Sequence, residues 1–442
     1  MAFYPDPILP VAVPEILLPA PGTDLFRWSV IACDQYTSEP EYWNDTERIV
    51  GDAPSTLRMV LPEVFLETLS DSRLDEKIAG VNASIDHYLS EKRLQPLPPG
   101  FILVDRKTAY APSRKGLMLA LDLERYDFTP GTREPIRATE GTVLSRIPPR
   151  LRIRRDASIE IPHVMVLIDD PGRTVIEPAL DALSENVPVY DTPLMQDGGH
   201  VTGFFCPETS KVAVSIITAL RNLLERSEDG FLFAVGDGNH SLATAKTHWE
   251  MIRSDIPGNE RSCHPARFAL VEVVNIHDKG LDFEPIHRVA FGLSIDAFVA
   301  YARDYYRDSG LTLGPVPRGQ QPDLSDTSRT FLVTNGEDSY VATLTDPPHP
   351  LAAGSLQAFL DKITEEISGV RVDYIHGESS VYKLSGSEAT GFILPAVSKK
   401  SFFASLSKSI VFPRKTFSMG HAQEKRYYME AKMIRNRVKE DR

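Results

Sequence analysis

The chain has 442 residues, 42% of them hydrophobic, with 48 Lys and Arg against 61 Asp and Glu for a formal net charge of -13. That length accommodates two or three domains or one catalytic body with an added lobe, and the negative balance works against sequence-independent binding of nucleic acid or anionic membranes, which leaves small molecules as the favoured partners. The three cysteines, Cys33, Cys206 and Cys263, are widely spaced and give neither a disulfide framework nor a metal-ligand pair, as suits a reducing cytoplasm.

The opening "MAFYPDPILPVAVP" lacks the basic start and continuous apolar run of a signal peptide, and no stretch further along is apolar for long enough to span a bilayer. Near it, "WSVIACDQYTSEPEYW" gathers Trp28, Tyr36, Tyr42 and Trp43 around Asp34 and Glu39; such a density of aromatics reads first as packing, with Asp34 a second-rank site residue. Between Ser55 and Leu94 the apolar residues fall at helical spacing, broken near Pro62 and Ser70. From Phe101 the pattern turns to strands, "FILVDRKTAY", "GLMLALDLERY", "RLRIRRD" and "HVMVLIDD". A helix is expected from Thr209 to Arg226, then a strand from Phe231 to Val235, a helix from about Ser241 to Arg253, and a buried strand in "RFALVEVVNI". "DKGLDFEPIHRVAF" breaks the regularity. After Ser294 come a helix, a proline-rich loop, a hairpin in "RTFLVTNGEDSYVATLT", a helix and strands, and the terminal "AQEKRYYMEAKMIRNRVKEDR" reads as a charged helix. The expected division is therefore a body over 1–292 and a smaller α/β lobe over 293–442 whose last helix returns to the body.

The segment "FLFAVGDGNHSLATAK" carries the densest chemistry. A strand that turns through glycines into a helix presents backbone N–H groups and the positive end of the helix dipole, which suits phosphate or carboxylate. Gly236, Gly238, Asn239 and Ser241 would form that anion loop, with Asn239 as N-cap. Asp237 would repel an anion unless it binds a metal ion, takes a proton from a hydroxyl or pairs with an ammonium group. His240, in the first helical turn, is expected to be neutral near pH 7 and to hydrogen-bond a transferring group. Metallophosphoesterases also use Gly-Asp and Gly-Asn-His strings, but on well separated loops, whereas here the two overlap.

"GDGNHSLATA", "GLDFEPIHRVA", the "TEGT" of Thr139 to Thr142, the "YIHG" of Tyr374 to Gly377 and "FPRKTFSMG" together resemble the bacterial family called "domain of unknown function 1015", over about Cys33 to Gly420. The loop is more remotely similar to the Gly-x-His-Arg loop of sulfiredoxin, free serine kinases and ParB-type nucleotide-binding proteins. The resemblance implies an α/β (α+β) fold with a mixed-sheet, ParB/sulfiredoxin-like core, and phosphoryl chemistry at the loop, with nucleotide as a candidate ligand. Where the family has His-His-Arg this chain has Asn239-His240-Ser241, so the arginine that would grip phosphate is missing. Lys246, Lys415, Arg146 and Arg150 are the candidate replacements, while Arg152 and Arg154 share one face of an expected strand and read as its wet side. Glu140 becomes the candidate general base, and His287 and Arg288 candidate substrate contacts.

The sequence reading is thus a cytoplasmic enzyme in which Asp237, His240 and Glu140 act on a small amino-acid-like phosphoester or hydroxy amino acid, with Mg2+ at Asp237 and phosphoserine or serine as the leading substrate. The competing reading is a nucleotide-binding switch without turnover. A homodimer is compatible with either.

Overall fold

A computed structural model describes residues 8–227, 229–407, 411–413 and 415–436. The chain divides into two units, one made of 1–281 together with 421–442 and the other of 282–420.

The first unit is built on a mixed sheet whose strands are β1 (Val11–Ala12), β2 (Gly100–Lys107), β3 (Arg114–Asp122), β4 (Tyr126–Asp127), β5 (Ile136–Ala138), β6 (Met165–Ile168), β7 (Tyr190–Leu194), β8 (Gly199–Pro207), β9 (Phe233–Asp237) and β10 (Phe268–Asn275). Their spatial order is β7-β8-β2-β3-β10-β6-β9-β5-β4, with β1 beside β3. The pairs β10/β6, β9/β5 and β5/β4 are parallel and the others antiparallel. Every residue of β10 is buried, including Glu272 and Asn275, so this strand shows no in–out alternation and lies covered on both faces.

Helices α1 (Pro40–Val50), α2 (Asp71–Ser90), α3 (Ile147–Arg154), α4 (Ile176–Leu183), α5 (Lys211–Arg226) and α6 (Asn239–Ile252) belong to the same unit. In α5, Ser210 caps the start by accepting from the Ala213 N–H at 3.1 Å, and Ala213, Ile216, Ala219 and Leu220 recur at helical spacing to form the buried face. Two expectations fail here. The run "RLRIRRD" is not a strand, because Pro148 and Pro149 preset the first turn of α3 where no N–H is needed. Arg152 and Arg154 consequently face different partners, Asp71 and Asp75 for the one and Glu160 for the other.

The terminal stretch also departs from its expected helix over the described residues. After one short turn at Ala422–Glu424 it runs extended through the first unit, with Lys432–Met433 paired to Ile159–Glu160. The chain from Glu424 to Lys432 is buried without a break, so no solvated helical face is available. Each buried charge finds a partner instead: Arg426 binds both Glu272 and Glu430, and Lys432 lies 3.4 Å from Glu160. Tyr427, Tyr428, Met429, Ala431 and Ile434 join the hydrophobic core.

The second unit has its own sheet, of β11 (Phe283–Phe291), β12 (Leu311–Pro315), β13 (Thr330–Thr334), β14 (Ser339–Leu344), β15 (Arg371–His376), β16 (Ala389–Ile393) and β17 (Phe417–Met419). The order is β12-β14-β13-β16-β11-β15, with β17 pairing the start of β11. The expected hairpin is β13–β14. The segment "FEPIHRVAF", expected to be irregular and part of the body, is the strand β11. It pairs with β15 and β16, which places it in the second unit, where α7 (Ile295–Tyr305) and α8 (Ala352–Glu366) supply Phe298, Leu356, Phe359 and Leu360 to a separate core. Among the described residues no helix is long and apolar enough to cross a membrane.

Candidate functional site

The glycine-rich loop joins β9 to α6. Register shifts between Val235 and Asp237, so the last residues of β9 leave the regular ladder at Gly236. Gly238 takes the left-handed conformation, φ 81°, and a Cβ there would lie 3.0 Å from the Val164 side chain. It is also the N-cap of α6. Asn239, expected to be that cap, is the first helical residue; its side chain turns inward, accepting from the Thr139 N–H and donating to Thr139 Oγ1 and the Val235 carbonyl, each at 3.3 Å.

This clamp matters because β5 and β9 are neighbouring parallel strands, with Ala138 opposite Val235. The "TEGT" segment and the loop therefore leave the sheet side by side, at the carboxyl ends where ligand sites of α/β sheets are commonly placed. Half-buried Glu140 is brought beside the loop in this way. His240 continues the tie: its Nε2 accepts the Val143 N–H at 3.1 Å, which requires an unprotonated nitrogen and occupies it. Its observed task is to hold the segment after Glu140.

Asp237 is spanned by two donors. Its Oδ1 accepts the N–H of Gly238 at 3.0 Å and its Oδ2 lies 3.1 Å from the Lys425 ammonium. Lys425, only 9% exposed, was no candidate in the sequence because "AQEKRYY" reads there as a solvated helix. The ammonium stands where Mg2+ was expected, and among the described residues no group of three or more His, Cys, Asp or Glu is placed to hold a metal. The described residues do not fit a protein-built metal cage.

Behind the loop is a cavity of about 160 Å³. Ser241 and Thr244 of α6 line it, with Arg150 and Ile153 of α3, Cys33, Glu63, His163 and Tyr428. Arg150 is bound to Glu63, both side chains being largely buried. Burial pushes the Glu63 carboxyl up, against the opposing pull of Arg150. Ser241 Oγ is 2.8 Å from His163 Nε2, and His163 Nδ1 is 2.8 Å from the Tyr428 hydroxyl, which also accepts the Cys33 N–H at 3.0 Å. Asp34 lies 3.5 Å from His163 Nε2. Burial alone would raise the Asp34 carboxyl; His163, the Gln35 amide, Lys425 and Arg150 outweigh it and hold that carboxyl below its usual range. Burial, followed by Glu63 and Asp34, drives the Cys33 thiol far upward.

The remaining expected residues make other contacts. Arg146 is exposed, and its carbonyl accepts from Arg150. Lys246 donates to the Leu123 carbonyl at 2.9 Å and lies 3.2 Å from Glu250, so its charge is used on the flank of α6. His287, Arg288 and Lys415 belong to the second unit. Arg288 is fully buried, donating to Gln357 Oε1 and to the Ile286 and Lys415 carbonyls with its guanidinium 4.7 Å from the Tyr374 ring. His287 accepts the Leu394 N–H through Nδ1 at 3.1 Å, and burial, reinforced by Arg288 and His376, depresses it to about 4. Both residues serve a core.

A mixed α/β body with an anion-type loop at the carboxyl end of adjacent parallel strands is the class that fold and site define. The chain belongs to the family described as "Protein of unknown function (DUF1015)", whose model matches residues 17–363. No curated protein sequence matches it. Among solved structures it is similar to a free serine kinase in complex with AMP, at 10% identity and a TM-score of 0.39 over 72% of this chain and 92% of that one. It is also similar to a conserved hypothetical protein from Pyrococcus furiosus, at 10% identity and TM-score 0.36 over 72% and 95%, and to SbnI with a C-terminal truncation from Staphylococcus aureus, at 10% and 0.35 over 69% and 82%.

Proposed function

We propose that the first unit catalyses phosphoryl-group chemistry on a small amino-acid-like substrate at the β9–α6 loop, either hydrolysing a phosphoester such as phosphoserine or transferring a phosphoryl group from a nucleotide to a hydroxyl such as that of serine. The observation that carries this reading is the loop itself. A left-handed glycine opens a helix of more than three turns, and the paired charges Asp237/Lys425 and Glu63/Arg150 stand close to it. Donors at a helix start favour phosphate oxygens, and two pairs of opposite charge suit a substrate that carries both ammonium and carboxylate. Glu140, in the segment that leaves β5 beside the loop, would take a proton from an attacking hydroxyl or water.

The test incubates the protein with phosphoserine and, separately, with serine and ATP or ADP, each with and without magnesium. Free phosphate in the first reaction supports hydrolysis and new phosphoserine in the second supports transfer. No product in either, with nucleotide raising the melting temperature, replaces the enzyme by a nucleotide-binding switch.

A further inference from the structure

The Ser241–His163 pair is unexplained by the role given to the loop. Ser241 occupies the third position of α6, in the first turn, where helical N–H groups have no acceptor within the helix. Its hydroxyl is within hydrogen-bond reach of an imidazole nitrogen, and that imidazole is held at its other nitrogen by a tyrosine. A nucleophile, a base and a third group that orients the base form the arrangement by which serine hydroxyls are activated. The pair also opens onto a cavity, as a reacting pair must.

We propose that Ser241 is a nucleophile with His163 as its base, and that it takes the phosphoryl group from a phosphoester whose compact hydrocarbon portion fills the cavity behind α6. The inference rests on the phosphoryl reading above and adds a covalent intermediate and a substrate class. With its proton on Nδ1 and directed at the Tyr428 oxygen, His163 keeps the Nε2 lone pair for Ser241. As the bond from Ser241 Oγ to phosphorus forms, the hydroxyl proton passes to Nε2 and the ester oxygen–phosphorus bond breaks. The departing alkoxide takes that proton and leaves as the alcohol. Water, deprotonated by the same nitrogen, then attacks phosphorus, the Oγ–phosphorus bond breaks, and the Ser241 oxygen takes the proton back from Nε2 as inorganic phosphate leaves. Asp34, 3.5 Å from Nε2, favours the imidazolium present between the two transfers. Tyr428 and Asp34 act only through His163 and are positioning residues.

The cavity indicates the rest of the substrate. Met59, Leu61, Leu66, Val81, Ile85 and Ile153 form an apolar side of it, opposite in character to the charged Glu63, Arg150, Arg154 and Glu160 that also line it, and its volume of about 160 Å³ is close to that of an engineered cavity of about 150 Å³ that admits benzene. Bare serine would leave this wall against water. A branched or cyclic hydrocarbon group of similar bulk would cover it.

A dialkyl fluorophosphate tests the pair directly, since attack by a serine oxygen forms the same oxygen–phosphorus bond, releases fluoride and needs neither nucleotide nor metal. The full chain is expected to gain one dialkylphosphoryl group, mapped by peptide mass to Ser241. Ser241→Ala, with an unchanged melting temperature, should gain none. His163→Gln should label at least about a hundredfold more slowly, the usual scale for a lost general base. Tyr428→Phe keeps the ring and should lower the maximal labelling rate about tenfold at an unchanged half-saturating concentration, a split that a merely structural role would not produce. Val81→Trp, which fills the cavity and spares the pair, should raise the half-saturating concentration. Absence of an adduct on the folded chain, an adduct mapped elsewhere, or equal labelling of Ser241→Ala overturns the proposal while leaving direct phosphoryl transfer at the loop intact. Labelling at Ser241 without turnover of phosphoserine or serine rejects those substrates and keeps the nucleophile.

Discussion

The Asn239–Ser241 turn of the first unit and the His287–Arg288 pair of the second are made from similar polar side chains, and both stand in motifs that mark the family resemblance. In the first, the side chains leave a strand at its carboxyl end and one of them, Ser241, reaches a cavity. In the second they sit in mid-strand, and Arg288 is shielded from solvent by its own hydrogen bonds and Tyr374. Residue type alone does not separate a site from a polar core. Where the strand ends does.

The contrast is broken most forcefully at Arg288. Arg288→Met removes the donors of three hydrogen bonds, two of them buried, and should cost about 3 kcal/mol or more of stability, measured by urea unfolding; a loss below about 1 kcal/mol would show that the side chain is not a core element. Lys425→Met tests the opposite region. It should leave unfolding within about 1 kcal/mol of the parent, because Asp237 retains solvent, and weaken phosphate-ligand binding roughly tenfold or more by titration calorimetry.

A subtler distinction comes from pH. His287 is depressed from 6.5 to about 4 by burial, so the unfolded chain binds its proton first. Its contribution to stability is complete above about pH 6.5 and is lost as pH falls towards 4. Unfolding free energies measured between pH 7 and 4.5 should decline less steeply in His287→Asn, which keeps an acceptor for Leu394; an identical slope would remove His287 from the account. The smallest effect is expected at Lys246→Ala. Its charge already serves the Leu123 carbonyl and Glu250 at a partly solvated surface, so stability should change by less than about 1 kcal/mol and phosphate binding not at all.

Much of the fold was legible because local signals and tertiary structure agree. The strands β2, β3, β6 and β10, the helices α5 and α6 and the hairpin β13–β14 all stand near their expected places. The loop was legible for the same reason: glycine turn, strand and helix are consecutive. What failed were segments whose surroundings reverse the local pattern. "RLRIRRD" alternates like a strand, yet two prolines start a helix there. "EKRYYMEAK" is charged like a surface helix, yet Lys425, Arg426 and Lys432 meet acids, and Glu430 the Tyr190 hydroxyl, from distant parts of the chain. His163, Tyr428 and Lys425 were invisible as site residues because their neighbours in space are far away in sequence, and no spacing rule reaches that distance.

The return of the terminal segment to the first unit has a consequence for how the protein is made. A ribosome delivers Glu272 long before Arg426 and Glu430, and the intervening chain is the whole of the second unit. Until residues 426–429 emerge, the large sheet lacks Tyr427, Tyr428 and Met429 from its core, and the buried Glu272 lacks its ion-pair partner Arg426. The inserted unit, continuous in sequence, can complete its core first. Closure of the body therefore waits for the segment after residue 420, and a nascent chain stalled near residue 420 should hold a folded insert together with an unfinished, protease-sensitive body.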